Sequence, residues 1–263
     1  MDFGLRDKVA LVAAASQGLG RSVADELAAE GAAVVICSRN QAKLDSVAQE
    51  IERRTGNRVA AIAADLSSAD DIERLVTASI ERFTKIDILV TNTGGPPAGR
   101  FDALTSEQWE QATNGLLSSV LNLTRLILPG MKERRWGRVL NITSIAAKQP
   151  VENLILSNSI RAAVTGFAKT LADEVAEFGV TVNNIMPGYT LTERVEELAE
   201  TISKKEGVTP DEVKKRWEAA IPMRRLGRPE EFGALAAFLA SERASYITGS
   251  SIAVDGGWIR SLF

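Results

Sequence analysis

Apolar and polar positions along this chain follow two alternating periods. Short runs rich in Val, Ile, Leu and Ala fit strands at Lys8–Ala14, Ala33–Cys37, Arg58–Ala63, Asp87–Thr91, Arg138–Ile142, Thr181–Met186 and Ser251–Val254. Between them lie longer stretches whose apolar residues recur every three or four positions: Gly18–Gly31, Gln41–Thr55, Ala69–Phe83, Thr105–Met131 and Ser157–Glu177. Strands separated by helices of crossover length predict βαβ units, hence parallel pairing. The strands are apolar almost continuously, so both sheet faces should be covered. The predicted fold is α/β: a single Rossmann-type doubly wound parallel sheet of about seven strands with helices on both faces, formed by residues 1–263 as one domain.

Two segments break the rhythm. Gly94–Gly99 is rich in Gly and Pro, and Thr192–Glu218 is dense in charge and predicts one or two helices outside the sheet. Both follow strand C-terminal ends, where open α/β sheets bind ligands. The second segment is expected to form a helical substrate lid around residues 190–222, the alternative being a charged amphipathic cover. No repeat or low-complexity tract interrupts the chain.

Composition narrows the chemistry. The 31 basic and 34 acidic residues leave a net charge of −3, which gives no pull toward nucleic acid or an anionic membrane, so a small-molecule partner is expected. Val34–Cys37 and Ile86–Val90 are far shorter than the ~20 residues of a membrane span, and Met1–Lys8 is too charged for a signal peptide; a soluble cytoplasmic protein is expected. The chain has no histidine, which rules out a Ser-His-Asp hydrolase and a His-ligated zinc site, and no metal is expected. The lone Cys37 lies in an apolar strand and reads as core. Trp109, Trp136, Trp217 and Trp258 show no base-stacking spacing and read as packing.

After the first strand comes Ala13-Ala14-Ala15-Ser16-Gln17-Gly18-Leu19-Gly20, opening a helix. Glycines there let backbone N–H groups approach a pyrophosphate at the positive helix end, so Ala14, Ser16, Gln17, Gly18, Leu19 and Gly20 are candidate dinucleotide-binding residues. Asp65 and Leu66 close the third strand, with Asp65 the candidate partner of adenine. Ser38-Arg39 stands where NAD sites present a carboxylate to the ribose, and the guanidinium suits a 2′-phosphate. NADP is therefore preferred, with NAD possible; the alternative for Arg39 is a solvated charge.

Taken together, these residues resemble the short-chain dehydrogenase/reductase superfamily, especially members similar to 3-oxoacyl-acyl-carrier-protein reductases, from Lys8 to Trp258. Gly18-Leu19-Gly20 matches the end of the family's glycine loop, with Ala13 and Ala14 replacing its first Thr-Gly and adding a methyl at a tight turn. Thr91-Asn92-Thr93-Gly94 is similar to its Asn-Asn-Ala-Gly, Asn114 aligns with its helix asparagine of the proton relay, and Pro187-Gly188, Thr190 and Thr192 match the loop around the nicotinamide carboxamide. Ile247-Thr248-Gly249 and Val254-Asp255-Gly256-Gly257 resemble the segment that builds the family's last strand and a dimer or tetramer interface, implying a homo-oligomer.

At the positions that carry the family's chemistry the pattern departs. The resemblance implies a serine followed 13 residues later by Tyr-x-x-x-Lys; Ser144 is present, but Ser157 and Arg161 stand in place of the pair, and Ala162–Lys169 continues in register. An aliphatic hydroxyl is a far poorer acid than a phenol, and a guanidinium stays protonated where lysine relays protons. Tyr189 and Lys148 are the remaining candidate proton donors. Two functions follow: an NADP-preferring oxidoreductase of a carbonyl or alcohol, with Ser144, Asn114, Ser157 and Arg161 at the reacting end, or a dinucleotide-binding or oligomer-scaffold protein without turnover.

Overall fold

The computed structural model describes residues 2–262. Strands β1 (Val9–Val12), β2 (Ala33–Ser38) and β3 (Val59–Ala63) alternate with helices α1 (Gly18–Ala29), α2 (Gln41–Thr55) and α3 (Ala69–Phe83). Next come β4 (Ile88–Thr91), α4 (Ser106–Thr113), α5 (Ser119–Glu133), β5 (Gly137–Ile142), α6 (Ile155–Val175) and β6 (Val180–Pro187). Helices α7 (Glu193–Glu206), α8 (Pro210–Ala220) and α9 (Pro229–Ala240) precede β7 (Ser251–Val254).

All seven strands pair in parallel in the order β3-β2-β1-β4-β5-β6-β7. The strand order reverses between β1 and β4, opening a crevice at their C-terminal ends. Alternate residues of each strand feed opposite cores. Val9 and Leu11 of β1, with Val35 and Cys37 of β2, pack under α3, α5 and α6. Ala10 and Val12, with Val34 and Ile36, pack under α1, α2 and α9.

Two features differ from the sequence expectation. Thr105–Met131 is not one helix: α4 and α5 are joined by a π-helical turn, Asn114–Ser118, where Asn114-Gly115 weakens the helical ladder and the Ser119 hydroxyl donates to the Gly115 carbonyl. Helix α9 was not anticipated. It begins with Pro229 at its first turn and Glu231 bonding back to the Arg228 N–H, and packs tightly on α1 because Gly233 lies against Ser22 and the Ser22 hydroxyl donates to the Pro229 carbonyl.

A rung of polar side chains crosses the apolar sheet. Thr91, Asn141, Asn184 and Ser251 are register partners on β4, β5, β6 and β7. The Thr91 hydroxyl donates to Asn141 Oδ1 at 2.7 Å, Asn141 Nδ2 to Asn184 Oδ1 at 3.1 Å, and Asn184 Nδ2 to Ser251 Oγ at 3.0 Å. Replacing Asn141 with Ala strands a hydroxyl and a carboxamide oxygen. We expect Asn141→Ala to lower stability by about 2–4 kcal/mol, read as a fall in the urea midpoint at unchanged slope; a loss under about 1 kcal/mol would show that the rung contributes little.

Candidate active site

A cleft of about 1020 Å³ runs along the C-terminal ends of the strands, crossing the point where their order reverses. Ala14, Ser16, Gln17, Gly18 and Leu19 line one stretch of it, Ser38, Arg39, Asp65 and Leu66 another, and Asn92, Gly94, Ser144, Ser157, Arg161, Pro187, Gly188, Thr190 and Thr192 the rest. Residues spread over most of the chain thus share one cavity.

The glycine loop suits a diphosphate. Gln17 sits at the N-cap of α1 without a side-chain cap bond, and no acidic residue occupies the first turn, so the leading N–H groups are left for an anion. Gly18 has φ 58°, and a Cβ on Gly20 would stand 2.5 Å from the Ala14 carbonyl and 2.8 Å from Asn92 Nδ2. Gly20 therefore lies behind the loop, letting α1 approach β1 and β4, while Asn92 Nδ2 donates to the Ala14 carbonyl. Ala14 itself is left-handed, with φ 49°, which costs an L-residue roughly 1–2 kcal/mol.

Beyond the loop, Ser38 ends β2 and the exposed Arg39 follows it. Lys43 also lines the cleft here; its amide is capped by Asn40 Oδ1 at 3.0 Å, and its ammonium donates to Gln17 Oε1. Sequence reasoning missed Lys43. A lysine in the first turn of a helix opposes the dipole, and that mismatch beside Arg39 was the available signal for an anion site. The Asp65 carboxylate accepts from the Ser67 N–H and hydroxyl at 2.9 and 2.7 Å, bonds that hold its pKa below the usual carboxylate range. Cys37 lies buried beneath, its thiol pushed up to about 12, and reads as core, as expected.

At the other end, Ser144 Oγ accepts from the Ala146 N–H at 3.1 Å, leaving its own proton to donate. Ser157 and Arg161 lie one turn apart on α6 and both face the cleft. Arg161 Nη1 donates to the Ile142 and Thr143 carbonyls at 2.9 and 2.7 Å, and no carboxylate among the described residues pairs with it. Burial without a counter-charge pulls this guanidinium down to about 10, so it remains cationic at neutral pH.

The family model described as enoyl-(acyl carrier protein) reductase matches residues 13–259. The chain belongs to the short-chain dehydrogenase/reductase superfamily. It is similar to the D-beta-hydroxybutyrate dehydrogenase of Cupriavidus necator, 35% identical over 263 residues covering 97% of this chain and 99% of that protein. It is also similar to the 3-oxoacyl-[acyl-carrier-protein] reductase of Vibrio cholerae, 34% identical over 255 residues covering 97% of this chain and 98% of that one. The L-sorbose reductase of Gluconobacter frateurii, solved with NADPH and L-sorbose, superposes with a TM-score of 0.96 at 32% identity, covering all of both chains.

In this short-chain dehydrogenase/reductase, three residues expected at the reacting end lie elsewhere. Asn114 is exposed and off the cleft, its Oδ1 accepting from the Ser118 hydroxyl at 3.5 Å. The π-helical turn instead directs Leu116, two residues on, toward the cavity. Lys148 is exposed and does not line the cleft. Tyr189 turns away between Gly188 and Thr190, stacks on Trp217 with ring centroids 4.7 Å apart and meets Trp258 edge-on at 6.4 Å. Its burial also raises the phenol pKa, making it a poorer acid.

Helix α7 enters over the glycine loop, with Thr192 and Glu193 beside Gly18 and Arg194 beside Gly95. Helix α8 is joined to α7 by Lys214 and Glu196 at 3.2 Å.

The strained turn at Ala14 yields a stability prediction. Ala14→Gly removes the left-handed penalty but gives back some chain entropy, so the melting temperature should rise by about 1–3 °C. An unchanged or lower melting temperature would show that no strain is stored there.

Proposed function

We propose that this protein is an NADP(H)-dependent oxidoreductase of a carbonyl or alcohol substrate, working with Ser157 and Arg161 where relatives of its kind carry a tyrosine and a lysine. The observation that carries this reading is the single cleft joining the uncapped α1 N-terminus to Ser144, Ser157 and Arg161. When bound, the dihydronicotinamide supplies a hydride to the carbonyl carbon.

Everything else falls to this chain's residues. The first turn of α1 binds the diphosphate, Arg39 and Lys43 hold the 2′-phosphate, Asp65 accepts from adenine, and Pro187, Gly188, Thr190 and Thr192 bound the nicotinamide pocket. The Ser144 and Ser157 hydroxyls donate to the substrate oxygen as it becomes an alkoxide, Arg161 orients the substrate beside them, and the proton arrives from solvent. Helices α7 and α8 serve as the substrate lid of one domain spanning residues 1–263. The NADPH held by the solved L-sorbose reductase supports the choice of dinucleotide. We place the protein in the cytoplasm as a homodimer or homotetramer. Support for assembly comes from the half-buried edge strand β7 and the fully exposed Tyr246 beside it. The oligomer is read by light scattering, and a monomer at micromolar concentration would contradict it.

NADPH should bind with quenching of protein fluorescence, and NADH more weakly. Arg39→Ala and Lys43→Ala should each weaken NADPH roughly tenfold or more and leave NADH nearly unchanged; equal losses for both dinucleotides would remove the 2′-phosphate assignment.

Turnover of a ketone and aldehyde panel with NADPH should fall about 10²-fold in Ser144→Ala and little in Lys148→Ala or Tyr189→Phe. NADPH binding with no turnover across the panel would favour a non-catalytic dinucleotide-binding protein instead.

A further inference from the structure

Arg161 is, among the described residues, the one charged side chain of the cleft outside its adenosine end and the α7 turn, where Arg39, Lys43, Asp65, Glu193, Arg194 and Glu197 lie. Its two Nη1 protons are spent on the carbonyls that end β5, which fixes the guanidinium plane. Nε and Nη2 keep three N–H donors with no bond to any described residue, on a side chain that lines the cavity with Ser144 and Ser157.

Arg161 is a half-buried cation without a counter-charge, and a neutral ligand covering it would add desolvation without offsetting it. The Nε–Nη2 edge of the fork, with two parallel N–H donors free, matches a carboxylate bidentately. We propose that Arg161 is the carboxylate-binding group of the substrate pocket, and that the substrate is a short 2-oxo or 3-oxo acid or the matching hydroxy acid. The spacing follows from α6: Ser157 and Arg161, four residues apart, have Cβ atoms roughly 5–6 Å from each other. A carboxylate on Arg161 thus leaves a carbonyl one or two carbons away in the cleft that the Ser157 and Ser144 hydroxyls also line.

This inference rests on the oxidoreductase reading for its chemistry. Hydride adds to the carbonyl carbon, the C=O π pair moves to oxygen, and that oxygen takes one proton from solvent; the carboxylate is unchanged and serves as the anchor.

The test uses the whole protein with NADPH and four probes, 2-oxobutyrate and 3-oxobutyrate, each paired with its primary amide. Binding is read by the fluorescence and melting temperature of the ternary complex, and turnover separately. At least one acid should bind at least about tenfold more tightly than its amide. Arg161→Gln should erase that difference while changing NADPH affinity less than about threefold, and Arg161→Lys, a point charge without the fork, should keep part of it.

Equal retention of acid and amide, retention of neither acid, or an Arg161→Gln loss that falls wholly on NADPH would overturn the proposal; the last outcome would assign the guanidinium to the ribose. Acid discrimination without turnover would uphold the anion site and sink the oxidoreductase reading. Turnover of neutral ketones with no preference for acids would do the reverse.

Discussion

The hydrogen-bonded rung formed by Thr91, Asn141, Asn184 and Ser251 constrains much of the site. Parallel strands packed on both faces by apolar side chains have little else to resist a slip in register, and a one-residue slip turns every side chain to the opposite face. Buried carboxamides exact a heavy penalty unless paired, so the rung admits a single alignment of β4, β5, β6 and β7. That alignment sets where the chain leaves each strand. Asn92 emerges just after Thr91, Ser144 shortly after Asn141, and Gly188 shortly after Asn184, so the cleft wall follows from a constraint one step beneath it.

The same economy governs the cations. Arg39 and Lys43 are exposed where they line the cleft, and charge there is cheap to maintain. Arg161 is deeper and half-buried, held by two backbone carbonyls and without a carboxylate partner among the described residues, and burial lowers its pKa. One cleft thus holds positive charge in two settings, exposed at Arg39 and Lys43 and half-buried at Arg161.

Much of the fold was legible because its signals are local. Helix α2 starts and stops as expected, since Asn40 caps Lys43 and Gly56 takes the left-handed exit; α3 does likewise through Ser68. The glycine loop, Arg39 and Ser144 reached the cleft because strand ends place them there, and Ser157 and Arg161 because the first turns of α6 run along it. What stayed hidden depends on non-local geometry. A π-helical turn leaves no periodic trace, and it leaves the Asn114 side chain exposed while Gly115 and Leu116 line the cleft. Tyr189 lies in the right loop, but its orientation is decided by Trp217 and Trp258, which are remote in sequence. Lys43 was overlooked as a helix surface residue, and α9 because its apolar residues surround the helix and give no amphipathic period.

The aromatic trio has a mechanical side. Tyr189 belongs to the loop after β6, Trp217 to α8 and Trp258 to the tail beyond β7, while the Arg260 N–H, two residues further on, donates to Gln149 Oε1 in the loop that follows Ser144. The tail therefore ties the loop after β6, itself stacked on α8, to the segment that follows Ser144. The position of the loop after β6 thus depends on residues near the C-terminus that line no part of the cleft.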